Sequence, residues 1–216
     1  MAAIGTAGIL QPEARKTLGG ARRSGHWTLE AAHLARSKKN AQHEGKLIVF
    51  VDESGLSERP TRVRTWALKG RTPTIQFHFN WKQLSMIAGL TVNRCVFRLH
   101  PGAIRSAQIV DFLKALRRHL KRRLLIIWDG LRAHRSRLVR EHVDSTDGGI
   151  QMAFLPPYAP ELNPVEYLWA WLKRHALANF CPDGLTELAT TARSKLKSAQ
   201  RRSSIIVACW QQAELF

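Results

Sequence analysis

Two short apolar runs in the chain each end in an aspartate. Residues 47–51 lead into Asp52, and residues 124–128 lead into Asp129. A carboxylate beside buried apolar residues is costly unless it is paired or binds a metal ion. If the two runs are neighbouring strands of one sheet, both carboxylates come to the same place.

A third acid, Glu166, follows Asn163 and Pro164 at the predicted start of an amphipathic helix. Carboxylate oxygens are the protein ligands that Mg²⁺ prefers. Two divalent ions about 3.5–4 Å apart can activate a nucleophile and stabilise a leaving oxygen in an in-line phosphoryl displacement. Asp52, Asp129 and Glu166 therefore predict a phosphoryl-transfer site that holds two Mg²⁺ or Mn²⁺ ions.

Each of these acids also has a purely structural interpretation. Asp52 and Asp129 could simply end their strands, since Asp129 and Gly130 form a typical turn pair. Glu166 stands three residues after Asn163, so it could be the return partner of a capping box. The sequence leaves these alternatives open.

Three further residues near the acids are candidates for the site. Glu53 should point to the opposite face of its strand from Asp52, because side chains alternate along a strand. Glu161 lies in a proline-bounded loop and is a weaker candidate than Glu166. His134 could contact a phosphate or orient a ligand, or it could be a packing residue at the start of a helix.

The elements that must position these residues follow from the hydrophobic periodicity. Strands are predicted at 47–52, 65–68, 84–92, 95–99, 124–128 and 151–155. Helices are predicted at 28–36, from Ser106 as an N-cap, at 134–143, from Asn163 as an N-cap to about residue 178, at 183–198 and at 204–214. Antiparallel strands followed by alternating helices and strands indicate an α/β fold, a ribonuclease-H-like mixed sheet flanked by helices. In that architecture the first strand and the strand after the first long helix are parallel neighbours, which places Asp52 beside Asp129.

The chain divides into three predicted parts. Residues 1–45 read as a loosely ordered basic segment, because they contain few large apolar side chains. Residues 46–180 form the catalytic domain, and residues 181–216 form C-terminal helices packed on it.

A formal net charge of +18, from 34 Lys and Arg against 16 acids, points to a polyanionic partner. Nucleic acid is the main candidate, since Lys and Arg neutralise its phosphates, and an anionic membrane surface is the alternative. No stretch approaches the ~20 apolar residues of a membrane span, and the three scattered cysteines suggest a reducing, cytoplasmic location. The predicted DNA-binding residues are His134 and the basic side chains Arg117, Arg118, Lys121, Arg132 and Arg135, although such basic faces are also commonly just solvated.

Three blocks of sequence resemble bacterial insertion-sequence DDE transposases related to the mariner superfamily, over about residues 46–180. The blocks are Val51-Asp52-Glu53-Ser54-Gly55 with Arg64-Thr65-Trp66-Ala67 and Gly70-Arg71-Thr72-Pro73; Trp128-Asp129-Gly130 with His134-Arg135-Ser136; and Leu155-Pro156-Pro157-Tyr158-Ala159-Pro160-Glu161-Leu162-Asn163-Pro164-Val165-Glu166 with Leu168-Trp169. The third block is long and specific. In the second block, an Asn more often stands where this chain has Gly130.

The resemblance implies a ribonuclease-H-like catalytic core whose Asp-Asp-Glu triad falls on Asp52, Asp129 and Glu166. It implies cleavage and joining of DNA strands at insertion-sequence ends, a homodimer on DNA, and a location at the nucleoid. Members of the family usually carry helix-turn-helix modules before the first Asp. Because only about 45 residues precede it here, we expect a separate upstream helix-turn-helix protein or a truncated copy.

Two other functions remain compatible with the sequence. One is a basic DNA-binding remnant without catalytic activity. The other is a related ribonuclease-H-like nuclease, such as a ribonuclease or a junction resolvase.

Overall fold

The fold is built around a five-stranded mixed sheet. The computed structural model describes residues 24–77, 82–157 and 159–215. The strands run in the order β3-β2-β1-β4-β5. The strands are β1 (Leu47–Ser57), β2 (Gln83–Leu90), β3 (Cys95–Pro101), β4 (Leu124–Trp128) and β5 (Ile150–Phe154). The helices are α1 (Ser24–His43), α2 (Ser106–Leu120), α3 (Arg137–Asp144), α4 (Pro164–Trp171), α5 (Leu185–Arg201) and α6 (Ser203–Gln212).

The pairing of the strands confirms the predicted ribonuclease-H-like order. β1, β2 and β3 pair antiparallel, whereas β4 runs parallel to both β1 and β5. β1 extends five residues beyond its predicted end because β2 pairs with it as far as Ser57. β4 pairs with β1 only up to Phe50 and Ile127, so the two strands separate just beyond that point.

Side-chain alternation along the strands builds a core on each face of the sheet. On one face, Val49 and Val51 of β1 pack with the apolar sides of α2 and α3. On the other face, Phe50 packs with residues of α1, α4, α5 and α6, such as Trp210. A sheet covered on both faces requires nearly continuous apolar strands, and β4 is buried throughout.

Besides the lengths of β1 and α1, four predicted features differ from the structure. Residues 65–68, predicted as a strand, are irregular and exposed. Among the described residues, the nearest backbone pairing is a bridge between Thr61 and Ala178. Without a neighbouring strand, the backbone N–H and C=O groups of 65–68 bond to water. Ser106 is the first residue of α2, not its cap. Arg105 is the N-cap residue, and its N–H donates a hydrogen bond of 3.1 Å to Gln108 Oε1.

The other two differences lie around α3 and α4. α3 begins at Arg137 rather than residue 134, because residues 132–135 form a turn before it. α4 ends at Trp171 and continues as a π-helical segment, Leu172–Ala176, instead of running as one helix to residue 178. Such segments are often found at functional sites.

The two ends of the chain contribute to the same core. α1 is longer than the predicted helix at 28–36, and its Leu34 and Ala41 are buried against the sheet, so part of the segment 1–45 belongs to the folded body. Residues 1–23 of that segment lie outside the described residues. α5 and α6 bury Leu196 and Trp210 in this core, and the three-part division of the chain stays a prediction.

Within the described residues, no helix combines the length and the apolar character needed to cross a bilayer.

Candidate active site

The fork between β1 and β4 brings the two strand-end aspartates together. The last parallel pair is Phe50 with Ile127, and the same register continued by two residues sets Asp52 across from Asp129. A cleft of about 520 Å³ opens at this point and is lined by Asp52, Asp129 and Glu166. The structure therefore gathers the three predicted acids from β1, the end of β4, and α4.

Asp52 lies deep in the cleft wall and is held by a neutral donor. Asp52 is 7% exposed, and its Oδ2 accepts a hydrogen bond of 2.8 Å from the indole Nε1 of Trp169. Burial raises the pKa of Asp52 to about 8, and the negative charge of Glu166 adds to this shift, which the Trp169 bond partly offsets. An acid in this setting favours a proton or another cation at neutral pH.

Glu166 reaches the cleft from the first turn of α4. Asn163 caps this helix, because its Oδ1 accepts the Val165 N–H at 3.1 Å while its Nδ2 donates to the Val51 carbonyl at 3.1 Å. These bonds fasten the start of α4 to β1, one residue before Asp52. The Asn163 N–H donates to the Pro160 carbonyl at 2.9 Å, so that donor already has a partner without a capping box from Glu166.

Asp129 is held by a charged network on the opposite face of the sheet from Asp52. Its Oδ1 lies 2.6 Å from His134 Nδ1, and His134 Nε2 lies 3.1 Å from Glu53 Oε1. The other Glu53 oxygen accepts a 3.2 Å bond from Trp128 Nε1, and the Trp128 ring stacks on His134 with centroids 4.0 Å apart. Burial lowers the pKa of His134, but the hydrogen bonds to Asp129 and Glu53 outweigh it and raise the pKa to about 9.

Two cations stand at the border of the cleft. Lys173, in the π-helical segment, donates to Ser54 Oγ at 2.7 Å. Burial lowers the pKa of Lys173, against the opposing effect of Glu166 and Asp52. Arg135 lines the cleft and lies over the Phe154 ring, 4.3 Å from its centroid.

Gly130 gives Arg135 its room. A Cβ at this position would lie 3.0 Å from a guanidinium nitrogen of Arg135, so a larger residue would push that flexible side chain aside. Gly130 stands where an Asn more often follows the second Asp. This departure thus coincides with an arginine, Arg135, that lines the cleft.

The donor set suits a hard divalent cation shared with a substrate. Within the described part of the chain, no three His, Cys, Asp or Glu side chains converge closely enough to hold one ion by themselves. Mg²⁺ is typically bound by one or two carboxylates and completed by waters and substrate phosphates. Asp52 with Asp129, and Asp52 with Glu166, offer such pairs, and their mutual repulsion calls for positive charge in the cleft.

The six residues predicted to bind DNA fall into three groups. Arg132 and Arg135 are exposed on the turn that follows Asp129. Exposed side chains at the end of α2 lie at the opposite end of the sheet, because this helix ends where β4 begins; they are Arg117, Arg118 and Lys121. His134 is 2% exposed and paired with two carboxylates, which argues against the predicted contact with a phosphate.

A family model described as "DDE superfamily endonuclease" matches residues 47–186, which is more than half of the chain and includes all three acids. The chain belongs to this family. A comparison with curated protein sequences found no match.

Solved structures of Mos1 transposase share the fold of this DDE endonuclease. The catalytic domain of Mos1 mariner transposase aligns with a TM-score of 0.62 at 18% identity, over 94% of this chain and 94% of that one. A pre-cleavage Mos1 transpososome aligns with a TM-score of 0.68 at 19% identity, and a paired-end complex with the left transposon end aligns with 0.67 at 18%. The chain spans 65% and 64% of the Mos1 chains in these two complexes.

Some residues of the site were not singled out from the sequence. The sequence assigns no role to Trp169 beyond its place in the third block, and Lys173 lies outside that block. Both lie on the turns of α4 and the π-helical segment after Glu166, so helical spacing from that acid could have indicated them. Glu53 was correctly placed on the face away from Asp52, but its pairing with His134 joins residues 81 positions apart, which periodicity does not reveal.

Proposed function

We propose that the chain is the catalytic part of a transposase that cuts and joins DNA strands at insertion-sequence ends in a metal-dependent reaction. The observation that carries the proposal is the convergence of Asp52, Asp129 and Glu166 on one cleft of a DDE endonuclease fold. The net charge of +18 favours a polyanionic substrate. The similar Mos1 structures include complexes with transposon ends and a strand transfer complex.

The proposed cofactor is a pair of Mg²⁺ or Mn²⁺ ions. Mos1 structures described with Mg and with Mn support the choice of metal. Asp52, Asp129 and Glu166 would hold the ions, since all three line the same cleft. When bound, such ions lower the pKa of an attacking water and neutralise the charge that develops on the leaving oxygen.

The residues of the chain position the reactants. Water attacks a phosphodiester at the element end in line with the leaving oxygen, and the released 3′-hydroxyl then attacks a phosphodiester of target DNA in the same cleft. Arg135, which lines the cleft, and Arg132, which is exposed on the same turn, would bind phosphates of the DNA next to the reacting group. Positioning and charge stabilisation account for the rate increase, without a covalent enzyme intermediate.

The proposed partners are DNA, a second copy of the chain on the paired ends, and a separate helix-turn-helix protein that supplies recognition of the end sequence. The proposed location is the cytoplasm, at the nucleoid. The homodimer rests on analogy with the need to hold two ends together.

A strand-nicking assay tests the proposal. The purified chain is incubated with labelled duplex DNA in Mg²⁺, Mn²⁺, Ca²⁺ or EDTA, beside the double variant Asp52→Asn, Asp129→Asn as the matched inactive control. We expect nicking in Mg²⁺ and Mn²⁺ only, and none by the double variant. Binding without nicking in every metal would identify a non-catalytic DNA-binding protein, and preferred cutting of an RNA–DNA hybrid would identify a ribonuclease instead.

A further inference from the structure

We propose that Glu53 and His134 form a positioning pair that fixes the Asp129 carboxylate for binding of the divalent cation. The inference rests on the proposed function, and it assigns roles to two residues outside the acid triad. In this role His134 acts through Asp129 and does not touch the substrate.

Asp129 needs an external support because its own surroundings are open. It follows the last residue of β4, precedes Gly130, and has a side chain that is 41% exposed. The hydrogen bonds from His134 Nδ1, at 2.6 Å, and from the Leu131 N–H, at 3.3 Å, both reach Oδ1. The carboxylate is thereby held by one oxygen, which leaves Oδ2 as the oxygen that can turn to a cation.

His134 is itself immobilised. Its side chain is 1% exposed, its ring stacks on Trp128 at an interplanar angle of 25°, and its Nε2 lies 3.1 Å from Glu53. Glu53 is fixed in turn, because its second oxygen accepts the Trp128 indole N–H. A rigid partner holds a carboxylate in one orientation more effectively than a mobile surface residue can.

The pair spans the fork at the point where backbone pairing stops. Glu53 belongs to β1 and His134 to the turn after β4, while the two strands are paired only up to Phe50 and Ile127. The side-chain bridge Glu53–His134–Asp129 therefore replaces the missing backbone bonds. It sets the distance between the strand ends that carry Asp52 and Asp129.

Both ring nitrogens of His134 have carboxylate partners. Nδ1 faces Asp129 Oδ1, and Nε2 faces Glu53 Oε1. With both nitrogens engaged in this way, His134 supports Asp129 and does not itself bind the cation.

Metal binding by three single variants tests the proposal. His134→Gln removes the bridge, and Glu53→Gln keeps an acceptor but removes the charge on a residue with a side chain that is only 19% exposed. His119→Gln is the matched control, because His119 is exposed on α2 and bonds only locally, to the Ala115 carbonyl. Mn²⁺ affinity is measured by electron paramagnetic resonance well below the melting temperature of each variant, and nicking is measured over a range of Mn²⁺ concentrations.

We expect His134→Gln to weaken Mn²⁺ binding by about 10- to 100-fold, as is common when a residue that supports a metal ligand is replaced. Nicking should be partly restored by high Mn²⁺, because the ligand itself is still present. Glu53→Gln should show a smaller loss of affinity, and His119→Gln should match the wild type. Should His134→Gln fail to fold, Glu53→Gln alone decides the question.

Two negative results can be told apart. If the wild type nicks DNA and folded His134→Gln and Glu53→Gln bind Mn²⁺ as it does, the positioning role is overturned while the proposed function stands. If the wild type neither binds Mn²⁺ nor nicks DNA, the proposed function is overturned, and the positioning role with it.

Discussion

The two strand-end aspartates face one cleft from contrasting surroundings. Asp52 is buried and receives a single bond from a neutral indole, whereas Asp129 is half-exposed and paired with His134. The difference follows from strand alternation, which directs Asp52 to the face with Trp169 and puts Glu53 on the face with His134. Equivalent positions on parallel strands thus give one acid that is bonded to a neutral indole and one that is paired with an imidazole.

The largest expected effect is shared by both aspartates. Asp52→Asn and Asp129→Asn should each lower Mg²⁺-dependent nicking by about 10³-fold or more, since metal stabilisation of the transition state is worth several kcal/mol. The measurement is the single-turnover nicking rate of each folded variant. If only one variant loses activity, the other aspartate merely ends its strand.

Glu166→Gln should come next, with a loss on the order of 10²-fold, about 2.7 kcal/mol. A neutral amide is a poorer ligand for Mg²⁺ than a carboxylate. Stability should not change, because Asn163 Oδ1 caps α4 and the Asn163 N–H already donates to the Pro160 carbonyl. Nicking and thermal melting are measured together. An active Glu166→Gln enzyme would place this residue outside the site.

The stabilities of the two aspartate variants should differ in sign. In EDTA at pH 7, Asp52→Asn should raise the melting temperature by a few degrees, because it removes a buried carboxylate and still accepts from Trp169. Asp129→Asn should lower it by a few degrees, because His134 loses one of its two carboxylate partners. For a chain of this size each kcal/mol corresponds to roughly 2–4 °C. Shifts in the same direction would show that the two surroundings are not electrostatically different.

The pH dependence of melting should separate the same two regions. The folded-state pKa of Asp52 is raised from 3.8 to about 8, so its stabilising contribution is complete below pH 3.8 and is lost as the pH rises towards 8. The pKa of His134 is raised from 6.5 to about 9, so its contribution is complete below pH 6.5 and is lost as the pH rises towards 9. In EDTA, Asp52→Asn should reduce the change in melting temperature between pH 3.8 and about 8. His134→Gln should reduce the change between pH 6.5 and about 9. Parallel curves for the wild type and both variants would contradict these assignments.

The smallest expected effect concerns the basic residues at the two ends of the sheet. Arg132→Ala and Arg135→Ala should each reduce the slope of log K against log salt by about 0.9, one phosphate contact each, from a total of about −4 to −5. The matched variants at the far end are Arg117→Ala, Arg118→Ala and Lys121→Ala, which should alter the slope but not the nicking rate. Salt titrations on element-end and random duplexes measure both effects. A preference above ~10³-fold for one sequence would reveal a recognition element in the chain itself.

Much of the fold was predictable because burial leaves a periodic signature. The runs that became β1 and β4 are apolar enough to be read as buried strands, and the spacing of Ile109, Leu113 and Leu116 indicated α2. The strand predicted at 65–68 was wrong. Its composition is compatible with pairing, but no strand among the described residues lies beside it. Propensity is local, whereas a strand exists only with a partner.

The sequence by itself determined most of the helices and strands, the order of the strands, and which three acids lie near one another. Residue type, periodicity and the specific third block carry this information, and all three are properties of the linear chain. Only the tertiary structure decided how each acid is held. Whether Asp52 meets an indole, whether His134 faces DNA or Glu53, and whether Glu166 caps a helix or enters a cleft depend on residues far apart in the chain. Those contacts set the local dielectric and the hydrogen bonds, and these, not the residue type, decide the charge state of a buried group.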